Sequence, residues 1–160
     1  MGHYSDINYD DFFQTTTKLL RKNLPDELRK FKTSRPPNRG WIVVKYPQFK
    51  NSQYELHLSS RSTTHAEDFG TGPHVTSAFY YKTEFGDSDA WLEALASSVE
   101  HIEEQLSKRV VIGPWGEKWV WIAESLDVES LTSENISFLF AQFIQATFKP
   151  ISSAFEAIGR

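Results

Sequence analysis

Ser77-Ala78-Phe79-Tyr80-Tyr81-Lys82-Thr83-Glu84-Phe85 reads as a β-strand. Side chains alternate along an extended chain, so Phe79, Tyr81 and Phe85 share one face and Tyr80, Lys82 and Glu84 the other. Two strand segments precede it. Trp41-Ile42-Val43-Val44-Lys45-Tyr46 is β-branched and aromatic and is closed by Pro47. From Tyr54 to Leu58 the alternation repeats, with Tyr54, Leu56 and Leu58 opposite Glu55 and His57. Three strands in succession predict an α+β fold. The expected architecture is a small, mostly antiparallel sheet with helices packed on one face.

Helical signals flank these strands. Phe12, Phe13, Thr16, Leu19 and Leu20 form one apolar stripe between Tyr9 and Lys22. Pro25 interrupts it, and Asn23 is placed to cap a second short helix carrying Leu24, Leu28 and Phe31. Asp87-Ser88-Asp89 opens a helix whose Leu92, Leu95, Val99, Ile102 and Leu106 recur at spacings of three and four. Segments 109–112 and 118–123 read as strands joined by a Gly113-Pro114-Trp115-Gly116 turn. Ser133 is placed to cap a last helix, which Pro150 kinks or restarts. The expected order is helix, three strands, helix, one or two strands, helix. The whole chain, 1–160, is expected to be one domain, with a basic helical segment (1–40) before a sheet-and-helix body (41–160). Residues 62–76 form a polar stretch of a length that connectors rarely reach without a role of their own.

Composition narrows the function classes. A chain of 160 residues with 39% apolar and 14% aromatic content carries enough side-chain volume for a packed core. It has no cysteine, which excludes disulfides, thiolate zinc sites and a cysteine nucleophile. No apolar run reaches membrane-spanning length, and no secretory signal is read at the start, so a cytoplasmic location is expected.

Charge is unevenly distributed. The net charge is −4, yet residues 18–50 hold ten of the 17 Lys and Arg residues and only two acids, a local charge of +8. Two readings stand. The basic block either lies against the acidic helix of the same molecule or attracts an anionic partner, a nucleic acid or an acidic protein. Under the second reading the contact residues are Lys18, Arg21, Lys22, Arg29, Lys30, Lys32, Arg35 and Arg39. Arg35 and Arg39, on the Pro-rich turn, are placed to meet phosphates. Trp115, in its turn, is the expected exposed aromatic contact, followed by Tyr80 beside Lys82. Trp119 and Trp121 face one way together, either as a stacking platform or as core beneath a helix.

The C-terminal half, about residues 77–158, resembles a prokaryotic family of uncharacterised domains found alone or fused behind restriction-endonuclease-like segments. The resemblance rests on three stretches. They are Trp91-Leu92-Glu93-Ala94-Leu95 running to His101-Ile102-Glu103-Glu104-Gln105-Leu106, the strand Trp119-Val120-Trp121-Ile122, and Phe143-Ile144-Gln145-Ala146-Thr147-Phe148-Lys149-Pro150. It implies a nucleic-acid defence or repair context and no settled activity. The order helix, three strands, helix, strand is also the core order of restriction-endonuclease-like nucleases, an analogy of order alone.

That analogy names a catalytic set to test. Such nucleases carry an acid on the second strand and Asp/Glu-x-Lys on the third, holding Mg2+ and a lysine beside the attacking water. Here the third strand reads Lys82-Thr83-Glu84, the reverse order, with Glu55 on the neighbouring strand. A cofactor, Mg2+, is expected only under this reading. The other reading is a solvated cross-strand ion pair. His57, His65 and His74 are the candidate metal ligands, at spacings that match no short ligand motif. No nucleophile elbow or phosphate-cradling glycine motif is present. The leading expectation is a non-catalytic binding or accessory module. The alternatives are a divergent nuclease and a protein–protein subunit, including a homo-oligomer.

Overall fold

A computed structural model describes residues 9–34, 41–59, 74–83, 86–126 and 132–160. Six strands form one antiparallel sheet: β1 (Lys32–Ser34), β2 (Trp41–Lys45), β3 (Ser52–Ser59), β4 (His74–Lys82), β5 (Val111–Trp115) and β6 (Trp119–Leu126). Their order across the sheet is β1-β2-β3-β4-β6-β5. Helices α1 (Tyr9–Asn23), α2 (Ser88–Ala96), α3 (Val99–Leu106) and α4 (Ser133–Ala157) pack on one face. The expected α+β architecture is therefore present, with a helix pair in place of the one helix expected and an added edge strand, β1.

The core lies between sheet and helices, and strand alternation selects it. Ile42, Val44, Tyr54, Leu56, Val75, Phe79, Tyr81, Val120 and Ile122 point into it and meet Trp91, Leu95, Ile102, Phe140, Phe143 and Phe155 from the helices. At the centre, Phe79 is paired with Tyr54 on β3 and Ile122 on β6. The Tyr54 hydroxyl and Thr147 Oγ1 of α4 share a hydrogen bond of 2.9 Å, which ties the longest helix to the sheet. Burial drives the Tyr54 phenol far above its ordinary pKa, so this hydroxyl stays neutral. Past the C-terminal end of α4, Arg160 pairs with Asp87 before α2 (2.5 Å), and Asp87 also accepts from the Tyr81 hydroxyl (2.7 Å). Burial first, then the Asp87 carboxylate, pushes Tyr81 up to about 12.

Several local expectations are corrected. The segment after Pro25 is only a 3-10 turn, Asp26–Leu28, with Pro25 in the flanking position expected of Asn23. The long apolar stripe 92–106 is two helices that part at Ser97–Ser98, because Leu95 to Val99 keeps helical spacing while the backbone bends. Thr132, not Ser133, caps α4 by accepting from the Asn135 amide (3.1 Å). The helix then runs unbroken through Pro150. Gly113, Pro114 and Trp115 belong to β5, and the turn falls at 116–118. An edge strand tolerates proline because it pairs on one side only.

Arg29 explains why α1 stops where it does. Its Nε donates to the Leu24 carbonyl (2.7 Å) and its Nη1 lies 2.8 Å from Asp26. A further N–H reaches the Lys22 carbonyl (3.5 Å), so the guanidinium covers carbonyls left open at a helix end. Arg29→Ala is expected to lower stability by about 1 kcal/mol, read as a shift in the urea midpoint at unchanged slope. No shift would mean that water serves these carbonyls equally well.

Candidate functional site

The sheet's second face, turned away from the helices, collects the chemistry. Because β3 points Tyr54 and Leu56 into the core, it sends Gln53, Glu55 and His57 the other way. Register then places Trp41 opposite His57, Val43 opposite Glu55, Ala78 opposite Glu55 and Tyr80 opposite Gln53. It continues across β6 and β5, with Trp121 opposite Tyr80, Trp119 opposite Lys82 and Trp115 opposite Trp119. One end of this face is therefore aromatic and lysine-bearing, and the middle holds a histidine–carboxylate pair.

The aromatic end is a small core of its own, built on Ala78, Tyr80, Trp121 and Ala123. The Tyr80 ring centroid lies 5.1 Å from Trp115, 6.0 Å from Trp119 and 5.7 Å from Trp121. Trp115 and Trp121 are 5.8 Å apart. Three expectations are corrected here. Trp119 and Trp121 lie on the face away from the helices and not beneath one. Trp115 is a half-buried strand residue and not an exposed turn residue. Tyr80 shares a face with Lys82 as expected but is only 2% exposed, so it supports the other rings more than it contacts a partner. Burial, with the Glu55 charge adding to it, holds its phenol far above the usual range.

His57 and Glu55 form the second feature. His57 Nε2 lies 2.5 Å from Glu55 Oε1, and Gln53 Nε2 donates to Glu55 Oε2 (2.6 Å). The imidazole meets Trp41 edge-on at 4.6 Å between centroids. Both carboxylate oxygens are thus engaged by neighbours on the same strand. Lys82 stands four positions along β4 from Ala78, the register partner of Glu55, or about 13 Å at a strand's rise. Glu55 and Lys82 are therefore not brought together. Lys82 lies instead over the Trp119 ring, 5.5 Å from its centroid. Glu84, His65, Arg35 and Arg39 lie outside the described residues, and of His74 only the backbone, in β4, is described. Among the described residues no group of three or more His, Asp or Glu side chains is placed to hold a metal ion.

The basic segment separates into two kinds of residue. Arg21 and Arg29 are structural. Arg21 stacks over Phe31 (4.3 Å) and donates to its carbonyl (2.9 Å), and Arg29 closes the end of α1 as described. Lys18, Lys22, Lys30 and Lys32 are exposed. The expected alternative, that the basic helix lies on the acidic one, is corrected: α1 packs on α4, as α2 and α3 also do. Arg21 on the Phe31 carbonyl and Arg29 on the Lys22 carbonyl bring the end of α1 to the segment that leads into β1, so the backbones of Lys22 and Lys30 lie near Lys32. There Lys32 stands directly opposite Lys45, both on the second face. Like charges directly opposite in a sheet repel.

Lys45 leads into a cleft that sequence reasoning missed. It has a volume of about 510 Å³ and is bordered by Lys45, Lys50, Asn51, Gln53, Lys82 and Trp119. Asn51 adopts a left-handed backbone (φ 60), a conformation asparagine tolerates better than most residues, and its carbonyl accepts from the Lys82 amide (3.3 Å). That bond fixes the β2–β3 turn against the end of β4, so lysines far apart in sequence share one cleft. The pairing of β2, β3 and β4 makes this site, and no spacing of residues along the chain announces it.

Comparison with family models, with curated proteins and with solved structures finds no match to this chain.

Proposed function

We propose that the protein is a non-catalytic binding module that engages nucleic acid through the lysines of its β1 edge. The observation that carries this reading is the Lys32–Lys45 cross-strand pair, with exposed Lys22 and Lys30 on the adjoining segments. Two exposed lysines at directly opposed strand positions repel modestly in the unliganded protein, and an anion spanning them offsets that cost. A phosphodiester backbone supplies such charges at regular intervals. The acidic remainder of the molecule keeps the attraction local, since residues 51–160 sum to −9.

The metal-dependent nuclease reading has less support. Glu55 is engaged by Gln53 and His57, and Lys82 lies at another level of the sheet. The reading as a subunit joined through exposed aromatic surface has little to rest on. Phe138, 52% exposed, is the one exposed large apolar residue among the described residues. No helix among the described residues is long and apolar enough to cross a membrane. The nuclease-associated context implied by the family resemblance belongs to this proposal and is tested with it.

Fluorescence-anisotropy titration of short labelled oligonucleotides at several salt concentrations, with Mg2+, tests the proposal. Affinity is expected to fall steeply with salt. Changing Lys22, Lys30, Lys32 and Lys45 together to Gln is expected to flatten the log–log slope by as much as ~3.6, at about 0.9 per phosphate contact. The oligonucleotide is expected to be recovered uncut. Salt-insensitive binding, or none at low salt, would remove the proposal, and cut strands would restore the nuclease.

A further inference from the structure

We infer that the cleft between the β2–β3 turn and the end of β4 is a subsite for one unpaired nucleotide, with phosphate on Lys45, Lys50 and Lys82 and the base against Trp119. This deepens the reading above and rests on it.

Three observations converge. First, among the described residues the cleft is lined by three lysines and no carboxylate. Among the described residues none of the three is in an ion pair, although the chain as a whole is acidic. Three cations around one concavity repel each other and find their complement in a compact multivalent anion, which a phosphate group is. Second, one wall is an indole that is half-buried and held in place. Tyr80 meets Trp119 edge-on at 6.0 Å and Lys82 lies over its ring. A ring already supported from behind loses little freedom when a second flat group stacks on it. Lys82 connects the two halves of the site, because moving its ammonium from the indole to a phosphate would open the ring face to a base. Third, the size fits. About 510 Å³ falls within the roughly 300–1,000 Å³ range of small-ligand sites and suits one nucleotide unit rather than a helix.

Pairing state follows from the geometry. Inside a duplex each base face is covered by its stacked neighbours, so only a terminal pair could offer one to Trp119. Single strands and strand ends present such faces, and stacking on an aromatic side chain is largely indifferent to base identity. The cleft therefore distinguishes strandedness more than sequence. An acidic peptide carries charge for the lysines but lacks the flat conjugated ring that the indole wall suits.

The test compares a labelled dT12 single strand with a 12-base-pair duplex, using the full chain at low salt. Wild type is expected to prefer the single strand by about tenfold or more. Trp119→Leu is expected to lose about tenfold on dT12 and to weaken duplex binding far less, because only the duplex ends offer a free base face. Lys50→Gln with Lys82→Gln is expected to weaken dT12 more than the duplex. It also stands in for Trp119→Leu should circular dichroism show that variant to be misfolded. Equal affinity for both forms, or dT12 binding unaffected by these variants, would overturn the subsite while leaving the β1-edge reading in place. Displacement of dT12 by poly-glutamate at lower concentration than by unlabelled dT12 would also overturn it, in favour of an acidic protein partner. Absence of binding to either oligonucleotide would remove both readings together.

Discussion

Phe79→Ala is expected to cost about 3–5 kcal/mol, toward the upper part of that range. Phe79 is fully buried on the central strand β4. Its ring stands 4.9 Å from Tyr54, 5.5 Å from Phe49 and 5.9 Å from Trp91, with Phe155 beyond at 6.4 Å. Those neighbours come from β3, the β2–β3 turn, α2 and α4, so one side chain joins the sheet to two helices. Removing the ring leaves a cavity walled by other rings, and rigid aromatic walls collapse into a void poorly. That retained void is what separates expensive truncations from cheap ones. Set against a typical total of about 5–15 kcal/mol, the loss is large enough to leave the variant marginal. Phe79→Leu, which refills most of the volume, is expected to lose well under half as much. Urea titration of both variants checks this. A loss below about 1.5 kcal/mol for the alanine variant would mean that the aromatic layer between sheet and helices is not the centre of the core.

The same strand shows how far the sequence could be read. Alternation along β3 separated Tyr54 and Leu56 from Glu55 and His57 correctly, because one face there is apolar and the other polar. On β4 both faces are aromatic, Phe79 and Tyr81 on one and Tyr80 on the other, so period two marks a strand without showing which side the helices cover. Trp119 and Trp121 inherited the same ambiguity. Their orientation is decided only by the register of β6 on β4, Tyr80 opposite Trp121 and Phe79 opposite Ile122. Cross-strand register is a long-range property, and a single chain does not carry it in any short window. The cleft was illegible for the same reason: Lys45, Lys50, Lys82 and Trp119 are distant in sequence and meet only through strand pairing. The basic segment, by contrast, was legible as a charge block, but charge alone could not tell structural arginines from exposed lysines. Arg21 and Arg29 are occupied by carbonyls and a ring, which is a matter of local backbone geometry.

Glu124 carries the second large effect, and it lies one residue beyond the strand expected over 118–123. Extended to Leu126, the alternation that sends Val120 and Ile122 to the helix face sends Glu124 there as well. It is 2% exposed and sits opposite Ser77 in the β4–β6 register. Neither Glu124 Oε2 nor Ser77 Oγ has a hydrogen-bond partner among the described residues. Burial pushes the Glu124 carboxyl up to about 7, and the nearby Lys108 ammonium, which donates to the Ser125 carbonyl, pulls part of the way back. In the unfolded chain the same group titrates near 4.5. Below that value both forms are protonated and the group leaves stability unaffected. As pH rises from 4.5 to 7 the unfolded chain releases a proton that the folded protein retains, so stability falls by up to ~1.4 kcal/mol per pH unit. Above 7 both forms are ionised and the loss levels off at about 3 kcal/mol. Glu124→Gln removes the titration and keeps the volume. It is therefore expected to match wild type at pH 4 and to exceed it by about 1–3 kcal/mol at pH 8, the lower figure allowing for an amide without a partner. Lys108→Met is expected to deepen the wild-type decline and shift it to higher pH, since it removes the charge that favours the carboxylate. Urea unfolding of the three proteins at pH 4, 6 and 8 measures these differences. A gap between Glu124→Gln and wild type that stays constant with pH would show that Glu124 ionises as easily in the folded protein as in water, which a carboxylate enclosed at this depth cannot do without a partner.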